Sequence, residues 1–425
     1  MLFFMIVGVI ALMLMDVPVA FALAVVSVVF FVVEEVPLAS FVQMAAKGVD
    51  SYTLLALPFF ILTGKLMNAS GATDRIMDLG KALVGWMYGG LGHANVMASF
   101  LFAGVSGSAV ADAGGLGAVE VRAMEKAGYS RRFAVGVTAA SATVGPIIPP
   151  SIIMIVYGIA SGTSIGALFL GGVVPGIIMA IAMMVMVSVL ARREKAVERI
   201  PFNIANVRVE AWQAIPALIT PFIIVIGILT GVFTATESGA VAAFYALVVA
   251  LAAKQGLRMR QAWQLVVETV VESAGILLIM AMAAVFSWSL AYQQAPQAAA
   301  GLLTELTSSP MVLLLLLGLL YMVLGCFIEA IAIVTMTIPV VMPILVSFGI
   351  DPVHFGVILA LIMSVGTITP PLGIVMFTLC RVTRVSVPAF ASLILPWLLL
   401  LLGVVAVVMM FPELVLFVPK LVGAY

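Results

Sequence analysis

Two short stretches carry residues whose types and spacing could do chemistry. Val144 to Pro150 reads VGPIIPP and Val365 to Pro371 reads VGTITPP, at an offset of 221 residues. Each places two adjacent prolines inside an apolar run, where proline removes a backbone donor and breaks a helix. The carbonyl oxygens freed by the break, with a hydroxyl nearby, suit a small hard cation. We therefore predict a cation site at each break, with a purely structural kink as the alternative.

The composition identifies the surroundings of these stretches. The 425 residues are 64% hydrophobic and only 9% charged, with no net charge. Soluble domains carry about 25% charged residues, and blocks of roughly 20 apolar residues, enough to span a bilayer, recur from Met1 to Val418. We predict an all-α polytopic protein embedded in the lipid bilayer, with no soluble domain and no nucleic-acid partner.

A polar stretch precedes each proline pair. Residues 104–117, GVSGSAVADAGGLG, combine small residues with two serines and the carboxylate of Asp112, and residues 324–339, LGCFIEAIAIVTMTIP, carry Glu329. An intramembrane carboxylate is costly and is a functional candidate. The arms around the first stretch are too short to span a bilayer, which indicates a re-entrant hairpin with its tip near residues 104–108. Close packing through small residues is the alternative.

Charge placement gives each half a direction, because lysine and arginine prefer cytoplasmic loops. At the 221-residue offset, the basic clusters of the first half fall on stretches that hold one lysine in total. Conversely, Arg381 and Arg384 fall in a loop whose counterpart, residues 160–163, is uncharged. We interpret the halves as inverted repeats. The clusters placed inside are Arg75 and Lys81; Arg122, Lys126, Arg131 and Arg132; Arg192, Arg193, Lys195 and Arg199; and Lys254, Arg258 and Arg260.

This interpretation divides the chain into four parts. Inverted repeats with interrupted helices near the midplane are typical of secondary transporters. With two histidines and no HExxH or GxxxxGK[ST] motif, an enzyme or an ATP-driven pump is not predicted. The parts are an N-terminal transmembrane helix over 1–33, bent near Asp16 and Pro18; a first repeat over 34–210 with a hairpin near 94–120; a linking transmembrane hairpin over 211–253; and a second repeat over 254–425 with a hairpin near 313–342.

The chain resembles the large membrane subunit of tripartite ATP-independent periplasmic (TRAP) transporters over essentially its whole length. The resemblance rests on GVSGSAVADAGGLG, on VGPIIPPS with GTITPPLG, and on LPFFILTGKLMNASGATDRI at residues 57–76. It implies an elevator-type secondary active transporter of the bacterial inner (cytoplasmic) membrane that uses a sodium gradient to import an organic acid anion, such as a dicarboxylate or sialic acid. It also implies two partners, a small four-helix membrane subunit and a periplasmic substrate-binding protein. A free-standing ion-coupled organic anion carrier is the alternative.

Carried over residue by residue, the resemblance implies two sodium sites. Phe327 and Glu329 stand where Ser106 and Ser108 stand at the 221-residue offset, so the sites cannot be identical. Asp112 and Glu329 are candidates for a further cation or for coupling. The first site uses Ser106 and Ser108 with Gly145, Ile148 and Pro150; the second uses Gly325 with Gly366, Thr369 and Leu372.

The substrate is expected between the two tips. The predicted core holds no lysine or arginine, so helix N-termini, whose dipoles favour anions, and the hydroxyls of Ser106 and Thr369 would hold its carboxylate.

Overall fold

The computed structural model describes residues 1–194, 201–253 and 257–423, and within them the chain is helical with no strand. The predicted cytoplasmic residues Lys195, Arg199 and Lys254 lie outside the described residues. A short 3₁₀ turn occupies Tyr52–Leu55. The first helices are α1 (Leu2–Leu14), α2 (Val19–Val33), α3 (Leu38–Val49), α4 (Ala56–Ala69), α5 (Ala72–Val84), α6 (Gly90–Ser106), α7 (Ala109–Gly115), α8 (Gly117–Lys126), α9 (Arg131–Ala142), α10 (Ile152–Ser161) and α11 (Ile165–Ala191). The remainder are α12 (Ile204–Leu229), α13 (Ala235–Ala252), α14 (Met259–Tyr292), α15 (Ala295–Leu306), α16 (Pro310–Gly325), α17 (Ala330–Ser347), α18 (Pro352–Gly366), α19 (Ile374–Thr383), α20 (Val387–Met410) and α21 (Glu413–Leu421).

Seven helical segments of the described chain are long and apolar enough to cross a membrane. The prediction of an all-α polytopic membrane protein is confirmed. The longest, α14, has 34 residues, or about 51 Å at 1.5 Å per residue, and exceeds a hydrocarbon core of about 30 Å. The seven segments are Tyr52–Ala69, Ile165–Ala191, Ile204–Leu229, Ala235–Ala252, Met259–Tyr292, Ala330–Ser347 and Val387–Met410.

Residues 1–33 form two helices rather than the predicted single bent helix. The chain reverses after α1, where Asp16 takes a left-handed φ of 65°, a conformation that aspartate tolerates better than most residues. Gly8 of α1 then faces Val26 of α2, since a Cβ built on Gly8 would lie 3.3 Å from the Val26 Cγ2 atom. The break falls near the predicted residues, but it folds the two helices against each other, and α2 packs onto α14.

A second helical hairpin, α12 with α13, joins the halves. Its turn contains Gly231, with φ 67°, and ends in a capping box in which the Thr234 amide donates to the Glu237 carboxylate over 2.8 Å. Tyr245 donates to the Pro216 carbonyl over 3.0 Å and ties the helices together near their middles. The first helix begins at Ile204 rather than at the predicted residue 211.

The helix ends follow the 221-residue offset seen in the sequence. Arg131 and Pro352 begin α9 and α18, and Lys126 and Ser347 end α8 and α17. The two helices that lead into the proline pairs are buried on all sides over Phe133–Ala142 and Val353–Gly366, as expected of helices that are apolar all round. The two breaks therefore lie at the centre of the described structure.

Helix α20 shows that α9 and α18 run in opposite directions. Near its start, the Ser392 carbonyl accepts a hydrogen bond from Arg132, at the beginning of α9, over 3.3 Å. Near its end, the Val408 carbonyl accepts one from His354, at the beginning of α18, over 2.9 Å. These two carbonyls are about 24 Å apart along a helix that rises 1.5 Å per residue. The two broken helices thus start from opposite ends of the bundle.

Candidate functional site

The tip of the first hairpin is a tight left-handed turn. Helix α6 ends at Ser106, and Gly107 follows with φ 61°, a value that glycine adopts without steric cost. Ser108 then caps α7, its hydroxyl accepting from the Ala111 amide over 3.3 Å. The turn places both serines of the predicted first site at the tip.

This tip packs directly on the first broken helix. The Gly107 Cα lies against the Pro150 carbonyl, where an added Cβ would collide with the carbonyl oxygen. A Cβ on Gly145 would come within 3.0 Å of the Ser108 carbonyl carbon. The structure therefore brings together four of the five residues assigned to the first site. The side chain of the fifth, Ile148, packs against Gly176 of α11.

The loop between α9 and α10 holds carbonyl oxygens that accept no hydrogen bond among the described residues. Those of Gly145, Ile148 and Pro150, the predicted ligands, are all of this kind, as are those of Ile147 and Pro149. Buried backbone groups are nearly always paired, and unpaired ones inside a membrane protein mark a cavity or a ligand. The oxygen chemistry of this loop fits a hard cation.

Ser151 fixes the shape of the same loop. Its hydroxyl donates back to the Pro146 carbonyl and accepts from the Met154 amide over 3.2 Å, which caps α10. Sequence analysis did not single out this residue, although a serine directly before an apolar run is a helix-start signal.

The second tip meets its broken helix through two glycines. A Cβ on Gly366 would lie 3.2 Å from the carbonyl oxygen of Gly325, so a larger residue would force the two segments apart. Within the described chain, the Gly366 and Thr369 carbonyls accept backbone hydrogen bonds, whereas those of Gly325 and Leu372 do not. Leu372 is 47% exposed. All four predicted residues lie on the tip or on the loop beside it.

The two loops begin side by side. Ser364 donates a hydrogen bond to the carbonyl of Thr143, and these two residues are separated by the repeat offset of 221. A contact between equivalent residues lies on the twofold axis that relates two copies. The pseudo-twofold axis of the molecule therefore passes between the two proline breaks, which are also alike in having cis Pro149-Pro150 and Pro370-Pro371 bonds.

Comparison with known proteins identifies the family of this chain. A family model described as "Tripartite ATP-independent periplasmic transporter, DctM component" matches residues 6–414. The chain belongs to this family.

Two relatives named for their substrates match most of the DctM-family chain. It is 40% identical over 425 residues to the sialic acid TRAP transporter large permease protein SiaM of Vibrio cholerae, covering 98% of each chain. It is 37% identical over 374 residues to the C4-dicarboxylate TRAP transporter large permease protein DctM of Pseudomonas aeruginosa, covering 88% of each. A crystal structure of the Alcanivorax borkumensis YdaH transporter has the same fold, with a TM-score of 0.63 and 16% identity over 88% of this chain and 87% of that one.

Two carboxylates are buried together in the return arm of this DctM-family chain. Asp112 and Glu120 are 2% and 0% exposed, and none of their oxygens has a hydrogen-bond partner in the part of the chain that the structure describes. Asp112 faces Ser99, whose hydroxyl bonds to Ser141 instead. Glu120 interacts electrostatically with Asp112 and Lys81. Sequence analysis missed Glu120, which its spacing from Asp112 on a helical return arm could have indicated.

Glu329 lies in different surroundings from Asp112. It is exposed at the start of α17 and faces Glu272 of α14. Glu272 in turn pairs with Lys65 over 2.8 Å. The two candidate carboxylates of the DctM-family chain are therefore not equivalent.

Lys65 is a basic residue next to the segment that packs on the first tip. It follows Gly64, on which a Cβ would lie 3.4 Å from the Cα atom of Ser106. Its ammonium group pairs with Glu272 and lies 3.8 Å from Glu268, so two carboxylates neutralise it. The assignment of substrate binding to helix N-termini and hydroxyls is compatible with this pairing.

A serine-hydrolase spacing that the sequence analysis overlooked has a structural role in the DctM-family chain. Residues 162–166 read GTSIG, which fits the G-x-S-x-G pattern. Ser164 caps α11 by accepting from the Ala167 amide over 3.3 Å. Both histidines are engaged elsewhere, His93 with Ser188 and His354 with Val408. The prediction that the chain is not an enzyme is confirmed by the transporter names of its relatives.

Proposed function

We propose that this chain is the permease of a sodium-driven importer of organic acid anions in the bacterial inner membrane. The observation that carries the proposal is the contact of the serine-bearing tip with a loop of unpaired carbonyl oxygens, in a chain of the DctM family. The relatives SiaM and DctM are named for sialic acid and C4-dicarboxylates, and both substrates are carboxylates.

Sodium would be held by the two tip-and-loop pairs. In the first, the Ser106 and Ser108 hydroxyls and the Gly145, Ile148 and Pro150 carbonyls supply oxygen ligands. In the second, the ligands are backbone oxygens of Gly325, Gly366, Thr369 and Leu372 with the Thr369 hydroxyl. Asp112 with Glu120, and Glu329, could add negative charge that favours a further cation.

The substrate carboxylate would bind between the tips, beside Ser106 and Thr369. The N-terminus of α10 starts at the first loop and that of α19 at the second, and helix N-termini favour anions. Coupling then follows from linkage. If sodium orders a tip, the ordered tip binds the anion more tightly, and the anion tightens sodium binding by the same factor.

Transport by an elevator motion would carry both tips across the membrane with the broken helices. The contact of each tip with its own loop, and of Thr143 with Ser364, supports movement of these parts as one body. A cysteine replacing Val110, which is 37% exposed beside the tip, should react with impermeant reagents from both sides of the membrane as conditions change. Labelling from one side alone under every condition would contradict the elevator motion.

Membership of the family supports a proposal for two partners. We propose that a small four-helix membrane subunit completes the scaffold and that a periplasmic binding protein delivers the anion. The alternative, a free-standing carrier, is tested by the same measurement.

The deciding experiment is uptake of labelled sialic acid and C4-dicarboxylates into proteoliposomes that contain the chain and its small subunit. Uptake should require an inward sodium gradient and the cognate binding protein, and Ser106→Ala should weaken its dependence on sodium. Ser347→Ala is a matched control, since within the described residues this hydroxyl bonds only to the Ile344 carbonyl at the far end of α17. Uptake with sodium but without the binding protein would favour the free-standing carrier, and uptake driven by protons would contradict sodium coupling.

A further inference from the structure

A three-arginine pocket opens where α9, α19 and α20 meet at one end of the bundle. It has a volume of about 410 Å³. The three side chains come from two places in the chain: two from the start of α9 and one from Arg384, directly after the end of α19. The residues that line it and carry the inference are Arg131, Arg132, Arg384, Ser386, Ala389 and Ser392.

The positive charge of this pocket is only partly balanced. Arg131 pairs with Glu125, with 2.6 Å between Nε and Oε1. Arg132 donates one hydrogen bond to the Ser392 carbonyl over 3.3 Å and has no carboxylate partner in the described chain. Arg384 has neither an ion pair nor a hydrogen bond there. Two guanidinium groups thus retain donors in the fork geometry that matches a phosphate.

The start of α20 adds further donors. Ser386 stands at its N-cap position, but the Ser386 side chain accepts no hydrogen bond from the helix. The backbone amides of Val387 and Ala389 have no partner among the described residues, and a helix N-terminus carries a partial positive charge.

In the neighbouring pocket, a negatively charged group binds at the start of a helix. There, at the start of α9, the Glu194 carboxylate accepts from the Ser130 amide and hydroxyl, each over 2.8 Å. Arg132 lines both pockets. A carboxylate of this chain therefore occupies the first helix start, whereas no described carboxylate caps the start of α20.

An apolar surface leads away from the three-arginine pocket. Leu395 and Leu399 lie one and two turns beyond Ser392 on the same face of α20, and they are 53% and 62% exposed. Helix α20 is one of the candidate membrane spans, so the pocket lies at the end of a span and this surface faces acyl chains. A basic pocket between transmembrane helices is a known type of lipid headgroup site.

We propose that the three-arginine pocket binds the headgroup phosphate of an anionic phospholipid, with an acyl chain along Leu395 and Leu399. The guanidinium groups of Arg132 and Arg384 and the open amides of α20 hold the phosphate. Because α9 leads into the first proline break, the bound lipid is attached to the helix that forms the first candidate cation site.

Native mass spectrometry of the purified chain with its small subunit tests this site, with phosphatidylglycerol as the probe. Arg384→Gln and Arg132→Gln should each lower the retained phosphatidylglycerol by about fivefold, the effect of one basic residue near a lipid surface. Arg381→Gln is the matched control, since it removes an exposed arginine one turn earlier on α19 that does not line the pocket. The Arg384 side chain has no partner to lose among the described residues, so that variant should unfold at the same temperature as the parent.

Three outcomes would overturn the proposal. The first is equal loss of lipid in the control and pocket variants, which would indicate a general charge effect. The second is equal retention of phosphatidylcholine and phosphatidylglycerol. The third is displacement of the lipid by millimolar inorganic phosphate, which would assign the pocket to a free anion.

Discussion

Both hairpin tips meet the backbone of their broken helices through glycines, but the first encloses its side chains whereas the second leaves large side chains exposed. Ser106 is 6% exposed at the first tip, while Phe327, at the same repeat position, is 51% exposed at the second. The two sites occupy equivalent positions in the repeat but differ in enclosure. The repeat thus supplies the position of a site, and the residues at each tip determine how tightly it closes.

The oxygen atoms predicted to bind sodium are also freer of hydrogen bonds at the first site than at the second. The predicted carbonyl ligands of the first loop have no hydrogen bond in the described chain, whereas two of those in the second loop already accept one. The Thr369 hydroxyl also donates to its own helix, at the Val365 carbonyl, over 2.8 Å. We therefore expect the first site to depend more on its individual side chains.

The largest expected effect comes from filling the contact at the first tip. In Gly107→Ala the new Cβ would meet the Pro150 carbonyl and would also impose a left-handed φ on alanine, so sodium-driven uptake should be abolished. Gly325→Ala should only reduce uptake, because the nearest atom, 3.2 Å away, is the flexible Met363 Cε. Uptake in proteoliposomes at matched protein levels measures both.

Gly71→Ala is the control for Gly107→Ala, because it introduces the same backbone strain without a collision with a neighbouring atom. Gly71 has φ 76° and open space around it, so alanine there costs only the left-handed conformation, about 1–2 kcal/mol. Uptake by Gly107→Ala that equals uptake by Gly71→Ala would show that the tip does not need its contact with Pro150.

Sodium titration should distinguish the two hydroxyls. Ser106→Ala should raise the half-saturating sodium concentration by about tenfold or more, because a bond to a charged group is worth about 1.5–3 kcal/mol. Thr369→Ala should raise it by about threefold at most, since that hydroxyl is already engaged within its helix.

Thr369→Ser keeps the hydroxyl and should titrate like the parent. Equal shifts in Ser106→Ala and Thr369→Ala would remove the difference between the sites, and no shift in either would count against both assignments.

A smaller effect is expected where the two loops meet. Ser364→Ala leaves the buried Thr143 carbonyl without its partner, which should lower the free energy of unfolding by about 1–3 kcal/mol. Thr143→Ala removes only a hydroxyl bonded to its own helix at Ala140, and should cost less. Thermal unfolding in detergent compares the two variants, and a reversed order would contradict the observed direction of the hydrogen bond.

The smallest predicted change concerns the cap of α10. Ser151→Ala should cost about 1 kcal/mol, the usual value of a lost N-cap, while Leu372→Ala, at the same repeat position, should stay within about 0.5 kcal/mol because it is half-exposed. Thermal unfolding again provides the comparison. Equal losses would mean that the two loops are held with equal rigidity.

The breaks and tips could be predicted because they depend on local chemistry. Proline pairs interrupt helices wherever they occur, and the structure ends α9 at Ala142 and begins α10 at Ile152. The glycine and serines at 106–108 form a turn of their own. The prediction of a single bent helix over residues 1–33 was wrong. The residues around Asp16 are compatible with either a bend or a reversal of the chain, and only the packing of α2 against α14 distinguishes the two.

The remaining site residues depend on contacts between distant segments. Lys65 is neutralised by residues more than 200 positions away, and Glu120 is buried by the return of the hairpin onto its neighbours. The bond from Ser364 to Thr143 joins two helices that run in opposite directions. No local pattern predicts such pairings, whereas the offset between the repeats could have indicated the last of them.

The hydrogen bond between Thr143 and Ser364 connects the two broken helices directly. Each residue directly precedes a proline break, so we expect a displacement of one loop to act on the other through this hydrogen bond. A rearrangement of the first loop would therefore be resisted by the second loop. We expect cation binding at one break to change cation affinity at the other without any movement of the outer helices.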